Sequence, residues 1–314
     1  MTQREPFTVH RSSLIVPKPL YRTGHVAVLA ASSPSELDRI ETAKRNLEKY
    51  GLKVTLAPNI GEYGQRSYLA GTDDERVQEL NRFFNSDEFD AFLFARGGYG
   101  AMRILDRIDY DAIRRNPRPI IGFSDVTALH QAIAIHGNVA SFHGPMVNLD
   151  FFNGLSADID RWFWSMLGGE APLTYRLRTE QIVSPGEAEG ILFGGCLSLT
   201  TALLGTPYDF WVDDGIWFWE DVDEPVYRID RMLTHLRLSG RFDKIRGVVI
   251  GKLKGCGEDA SLVDLLRETF HSIPVVRDLP FGHHGDNLLM PIGAPVRLSS
   301  ADATLTVTQS VVAR

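Results

Sequence analysis

The sequence predicts an α/β protein, with an amino-terminal domain on a parallel, Rossmann-like sheet and a β-rich α+β carboxy-terminal domain. Three observations carry this. Short apolar runs alternate with helix-periodic segments over about 120 residues, the pattern of βαβ units around a parallel sheet. At 314 residues the chain exceeds the roughly 250–300 that one core supports. After about Leu155 the alternation gives way to polar, Gly/Pro-punctuated sequence, and then to dense apolar strands among helices. The expected organisation is a first domain over 1–165, a linker over 166–186 and a second domain over 187–314.

In order, HVAVLAA (25–31) is an apolar run of buried-strand type. It leads into SPSELDRIETAKRNLEKYG, where Ser33 fits an N-cap, Pro34 the first helical position and Glu36 a capping box. Gly51 closes that helix as a C′ glycine, and LKVTL (52–56) alternates as a strand. A helix over 73–84 and the strand DAFLFA (90–95) follow, then the glycine loop RGGYG (96–100) and a helix AMRILDRI. PIIGF is a strand, Ser124 stands at its end, and VTALHQAIAIHG has helical spacing. DIDRWFWSML (158–167) reads as one more helix. Beyond 186 come GILFGGCLSLTTALLG, strand GIWFWE, helix EPVYRIDRMLTHLRLSG, strand GVVIGKL, helix SLVDLLRETFHSI and paired strands near PVRLSS and ATLTVTQ.

Composition narrows the partners. The chain is 44% hydrophobic and 23% charged, with net charge −7 and no block of Lys and Arg, which argues against nucleic acid or an anionic membrane. No apolar run approaches the roughly 18–20 residues of a membrane span. The first twenty residues lack a signal-peptide core, their longest apolar run being Leu14-Ile15-Val16. Two cysteines, Cys196 and Cys256, make no disulfide framework and fit a reducing compartment, so a cytoplasmic protein is expected.

In parallel sheets ligands bind beyond the carboxyl ends of the strands. RGGYG and Ser124 both follow strands directly and so share that edge. Ser124 has two readings, a helix cap or a nucleophile on a sharp strand-to-helix turn. GFSD matches only half of the G-x-S-x-G elbow. Such a turn would nonetheless aim the backbone N–H of Asp125 outward at a helix start, where negative charge is favoured. Gly97 and Gly98 either supply a second backbone donor or merely make a tight turn.

Among nine histidines, His130, His136 and His235 lie on expected helices, His143 follows a strand and could line the crevice, and His283 and His284 share a glycine-flanked loop. Spacing does not separate those two. Glu220 is the first charge after the apolar run 216–219 and could orient an imidazole, with Asp221, Asp223 and Glu224 as rivals in an acidic loop. S-x-x-K, H-E-x-x-H, C-x-x-C and G-x-G-x-x-G are absent, and VVIGKLKG has Leu253 where a phosphate loop needs Ser or Thr. No metal and no cofactor is expected.

Taken together, YLAGTDDERVQELN, ARGGYGAMRIL, NPRPIIGFSDVTALH, FHGPM, GGCLSLTTALLGTPYDFW, EDVDEPVYRIDRML and LPFGHHGDNLLMPIGAPVRL resemble, in this order, the LD-carboxypeptidase family of murein tetrapeptide carboxypeptidases. Microcin-immunity serine peptidases are a more distant branch. The resemblance implies a triad of Ser124, Glu220 and His283, oxyanion donors at the amides of Gly98 and Asp125, a homodimer, and a site between the domains. It implies hydrolysis of the amide between an L-configured diamino-acid centre and terminal D-alanine, as in peptidoglycan recycling. The alternative it carries is a peptidase or amidase acting on peptidyl-nucleotide or other acyl conjugates. Another class of reading is a small-molecule binding module without turnover. A carboxy-terminal scissile bond leaves a free carboxylate to neutralise, and Arg96 beside Gly97 is either its partner or a brace for the turn. Two residues depart from the family pattern: Cys196 where Asn is common, and Met290 where Leu is common.

Overall fold

The strands His25–Leu29, Ala91–Phe94 and Ile120–Gly122 are buried almost throughout, as befits a parallel sheet covered on both faces. In the computed structural model, which describes residues 8–9, 14–64, 66–257 and 260–313, they form the centre of a six-stranded sheet. The stretch read for a leader falls partly on 1–7 and 10–13, outside the described residues. Sheet order runs Met290–Ile292, Ser141–His143, Ile120–Gly122, Ala91–Phe94, His25–Leu29, Lys53–Leu56. All neighbours are parallel except the first pair, in which Met290–Ile292 runs antiparallel to Ser141–His143. Helices Leu37–Lys49, Asp73–Asn85 and Ala157–Leu167 follow the sequence pattern closely. Thr72 and Glu75 close a reciprocal capping box on the second of these, Glu75 N–H donating to Thr72 Oγ1 at 3.2 Å and Thr72 N–H to Glu75 Oε2 at 2.6 Å.

Two local expectations change. The first helix starts at Leu37 with Glu36 at the N-cap, so Ser33 caps nothing and its hydroxyl is engaged elsewhere. AMRILDRI forms two short 3₁₀ turns, Ala101–Arg103 and Leu105–Arg107, because Gly100 enters them at φ 136 and Ile104 breaks the ladder between them.

The second sheet has eight strands, ordered Leu173–Arg176, Thr304–Val307, Pro295–Ser299, Glu187–Cys196, Ile216–Glu220, Gly247–Gly251, Val275–Leu279, Ile182–Ser184. Its four strands from Glu187–Cys196 to Val275–Leu279 are parallel, with antiparallel strands on either side. The segment 166–186, expected as a linker, thus contributes both outermost strands. Leu173–Arg176 alternates half-buried with exposed, the signature of an edge. Buried Trp217 and Trp219 stack at 5.9 Å between centroids.

The two sheets meet at the carboxyl ends of their parallel strands. Cys196 N–H donates to Thr127 Oγ1 at 3.0 Å, and Gln131 Nε2 to Thr200 Oγ1 at 3.2 Å. Gly195 permits the approach, since a Cβ there would lie 2.5 Å from Thr127 Cγ2. The helical turn that begins at Ser124 is therefore pressed against the end of the strand that precedes Cys196. Among the described residues no helix is long and apolar enough to cross a membrane.

Candidate active site

Ser124 stands where strand Ile120–Gly122 becomes a 3₁₀ turn, with φ 60 in the left-handed region that side chains avoid. Such a conformation costs about 1–3 kcal/mol and persists only where its surroundings enforce it. They do so here. Phe123 before it is extended and fully buried, and Asp125 after it is almost fully buried. The Asp125 carboxylate accepts from Ser32 Oγ at 2.6 Å and from Ala101 N–H at 2.8 Å, and burial raises its pKa. One side chain thereby ties the serine turn to the exit of the RGGYG loop. Of the two readings for Ser124, capping does not apply, since neither the 3₁₀ turn nor the helix after it has a side-chain cap.

The glycine loop lies directly against this turn. A Cβ on Gly97 would fall 2.8 Å from Ser124 Cβ, 2.9 Å from Ser124 Oγ and 3.3 Å from the Asp125 amide nitrogen. Gly98 has φ 109, and a Cβ there would overlap Ser33 Oγ at 2.2 Å. Ser33 is the brace of the loop: its hydroxyl donates to Tyr68 O at 2.7 Å and accepts from Tyr99 N–H at 3.2 Å. Fully buried Arg76 supports the far end by donating to the carbonyls of Ala31 and Gly100. Arg96 donates Nη1 to Pro34 O at 3.1 Å, which braces the turn, and it also lines the cavity that holds Ser124.

His283 follows strand Val275–Leu279 and reaches the same cavity. Its Nδ1 lies 2.7 Å from Glu220 Oε2, with the carboxylate fully buried at the end of strand Ile216–Glu220. An ionised carboxylate only accepts, so the proton sits on Nδ1 and leaves Nε2 as the basic nitrogen. Burial alone would depress His283. The charge of Glu220, its hydrogen bond and then Asp221 outweigh that and raise it above the ordinary 6.5. The ring packs edge-on against Phe123 at 4.8 Å. Gly282 makes the pair possible: at φ 98, a Cβ there would sit 2.5 Å from Glu220 Oε2. Its N–H donates to the side chain of fully buried Asn287 at 3.1 Å.

The rivals separate cleanly. Asp221 is buried but turned to the start of helix Leu197–Leu203, accepting Ser198 N–H at 2.7 Å; burial, then Glu220, push it up to about 6. Asp223 is exposed and Glu224 half-buried, and neither lines the cavity. His284 is exposed, faces Lys252 Nζ at 3.4 Å and lines a different cavity. His143 does not line the crevice: it is fully buried on its strand among Phe123, Phe218 and Phe281, and burial holds its pKa far below 6.5. His130 is bonded to Gly122 O at 2.9 Å and lowered by burial to about 4. His136 packs between Tyr110 and Tyr208, and His235 is exposed. Cys196 pairs in register with Glu220 but is buried behind it, its thiol near Ser198 and Asp221.

The resulting cavity, about 290 Å³, brings together Ser124, His283, Gly97, Gly98, Arg96 and, unforeseen from sequence, Arg39. It has a serine hydroxyl, a carboxylate-backed imidazole and close-packed backbone, the elements of acyl transfer. Among the described residues no group of three or more His, Cys, Asp or Glu could hold a metal ion.

Comparison with known proteins identifies the family. Residues 26–144 match the LD-carboxypeptidase N-terminal domain and residues 189–298 the LD-carboxypeptidase C-terminal domain. A probable murein peptide carboxypeptidase of Bacillus subtilis is 35% identical over 304 residues, covering 94% of this chain and 95% of the relative. The murein tetrapeptide carboxypeptidase of Pseudomonas aeruginosa is 30% identical over 283 residues, covering 86% and 91%. The crystal structure of muramoyltetrapeptide carboxypeptidase from Oxalobacter formigenes superposes with TM-score 0.79 at 27% identity, covering 90% of this chain and 97% of that one. MccF in complex with glutamyl sulfamoyl guanosine superposes with TM-score 0.87 at 23% identity, covering 95% and 100%, a likeness of fold. The chain belongs to the LD-carboxypeptidase family of peptidases.

Proposed function

We propose that the protein is a serine carboxypeptidase that releases terminal D-alanine from murein tetrapeptide by hydrolysing its L,D-amide bond. The observation that carries the reading is the His283–Glu220 pair, 2.7 Å apart, in one cavity with Ser124 beneath the Gly97–Gly98 backbone. The names of the two relatives above support the substrate class.

Ser124 Oγ attacks the scissile carbonyl carbon while His283 Nε2 takes the hydroxyl proton. Glu220 holds the imidazole in the required tautomer and stabilises its charged form. The amides of Gly98 and Asp125 hold the oxyanion, each donor being worth about 2.7–4 kcal/mol in known cases. As the C–N bond breaks, the proton passes from His283 to the departing D-alanine amine. Water then attacks the acyl-enzyme, gives its proton to His283, and the tripeptide leaves as Ser124 regains its hydrogen. An exposed aromatic beside Ser124 would suit a nucleotide conjugate. Phe123, the aromatic lining this cavity, is instead fully buried against His283.

The test is incubation with murein tetrapeptide and mass spectrometry for loss of one alanine. Wild-type protein yields tripeptide and Ser124→Ala does not. Absence of tripeptide while other acyl conjugates turn over rejects the substrate, and full activity in Ser124→Ala rejects the nucleophile.

A further inference from the structure

The cavity that holds Ser124 is also lined by two guanidiniums, and neither is paired with a carboxylate of a described residue. Arg39, in the first turns of helix Leu37–Lys49, lies over the Phe152 ring at 4.3 Å. It donates Nε and Nη2 to Asn148 O at 3.2 and 2.9 Å. Asn148 is itself anchored by its N–H on Ala95 O at 2.9 Å. Arg96 donates Nη1 to Pro34 O at 3.1 Å. In each case a neutral carbonyl fixes the side chain, so the orientation is set while the charge is left uncompensated. Arg39 keeps Nη1 for a ligand, and Arg96 keeps Nε and Nη2. Glu36, the one carboxylate lining this cavity, is exposed and within ion-pair distance of neither arginine. The amino end of the helix that begins at Leu37 adds its positive dipole on the same side.

Two braced, uncompensated guanidiniums beside a reactive serine form a site for a planar anion, which can accept from both forks at once. We propose that Arg39 and Arg96 together clamp the free terminal carboxylate of the substrate, and that this clamp restricts the protein to removing a single carboxy-terminal residue. The inference rests on the reading of Ser124 as nucleophile, since it places the leaving residue between that hydroxyl and the arginines. Arg39 is then a substrate-binding residue in its own right. A carboxylate on the diamino-acid side chain would offer the same chemistry from another part of the peptide, and the substrates below separate the two.

The experiment compares kcat/KM for tetrapeptides ending in free D-alanine or in its carboxamide, each built on diaminopimelate or on lysine at the third position. Wild type is expected to prefer the free acid over the carboxamide on both backbones. Arg39→Gln should narrow that preference by about 10- to 100-fold, chiefly through KM, with Arg39→Lys retaining part of it. The lysine-for-diaminopimelate ratio should stay the same in wild type and variant. A free-acid preference untouched by Arg39→Gln and by Arg96→Gln overturns the clamp while tripeptide production keeps the reaction. A variant that alters the diaminopimelate-to-lysine ratio instead overturns the assignment to the terminal carboxylate. If wild type cleaves none of these peptides, calorimetry on Ser124→Ala decides the clamp separately: tighter binding of free acid than carboxamide, lost on adding Arg39→Gln, upholds it, and equal binding rejects it.

Discussion

Replacing Gly97 with alanine adds one methyl group, and the structure says where it goes. The new Cβ would lie 2.8 Å from Ser124 Cβ and 2.9 Å from Ser124 Oγ, about 0.6 Å short of ordinary contact at 3.4 Å. Ser124 cannot simply swing away, because its turn is pinned by Asp125 to Ser32 and Ala101 and pressed against Gly195 through Thr127. The loop and the serine must part by several tenths of an ångström. Displacements of about 1 Å at reacting groups cost about 10²-fold in rate. Loss of alignment with one oxyanion donor costs about 10²–10³-fold. Gly97→Ala should therefore lower kcat about 100-fold with little change in KM, while overpacking costs about 1–3 kcal/mol of stability. Gly205→Ala is the control: φ 78 makes it strained, yet nothing lies within 4 Å of its Cβ. It should lose stability and keep kcat. Steady-state kinetics and thermal unfolding of the two variants together provide the assay. If Gly97→Ala retains kcat within about threefold, the close packing of loop and serine is irrelevant to turnover and the reasoning fails.

Two further predictions rest on titration. In the proposed mechanism His283 acts as a base when neutral, and it is raised above 6.5, so kcat/KM should rise with pH through a limb lying above 6.5. Glu220→Gln removes the larger of the two charges that raise it and leaves burial, which lowers it, opposed only by Asp221. The plateau should fall about 10⁴-fold, as at a comparable triad, and the limb should move to lower pH; an unmoved limb rejects the coupling. Asp150, buried and pushed to about 7 chiefly by desolvation, keeps its proton in the fold to far higher pH than the ordinary 3.8. Its contribution to stability is thus lost as pH rises from about 4 through about 7, by up to roughly 4 kcal/mol at 1.36 kcal/mol per unit. Asp150→Asn should raise the melting temperature at pH 8 and change it far less at pH 4, and the reverse trend in a melting series would refute this.

Much of the site was readable because parallel strands deliver their carboxyl ends to one edge. Ser124 and RGGYG each follow an apolar run immediately, and topology alone brought them together. His283 and Glu220 were chosen by resemblance, and the reason is physical. Adjacent loop residues point in opposite directions, so nothing in FGHHG says that His283 meets a buried acid while His284 meets Lys252. Likewise Glu220 and Asp221 are both buried, and only the strand register turns one toward the imidazole and the other toward Ser198. Ser33 misled because a serine followed by proline and, three residues on, glutamate is good capping chemistry, yet here it braces a loop far along the chain. Arg39 gave no signal, since a charged residue at a polar helical position looks like ordinary surface. The parallel core of the second sheet was hidden by the antiparallel hairpin at 295–307, whose alternation is easier to see.

Strand Met290–Ile292 completes the first sheet although it is encoded after the second sheet's parallel core. During synthesis, the edge offered by Ser141–His143 emerges from the ribosome long before its partner exists. It carries fully buried Phe142 and His143 and a row of unsatisfied amides. The nascent amino-terminal half must therefore wait, open at that edge, until the second sheet's parallel strands and the segment after them have been translated. The same closing segment follows directly on the loop that bears His283, so that histidine and the cover of the vulnerable edge are delivered by one stretch of chain.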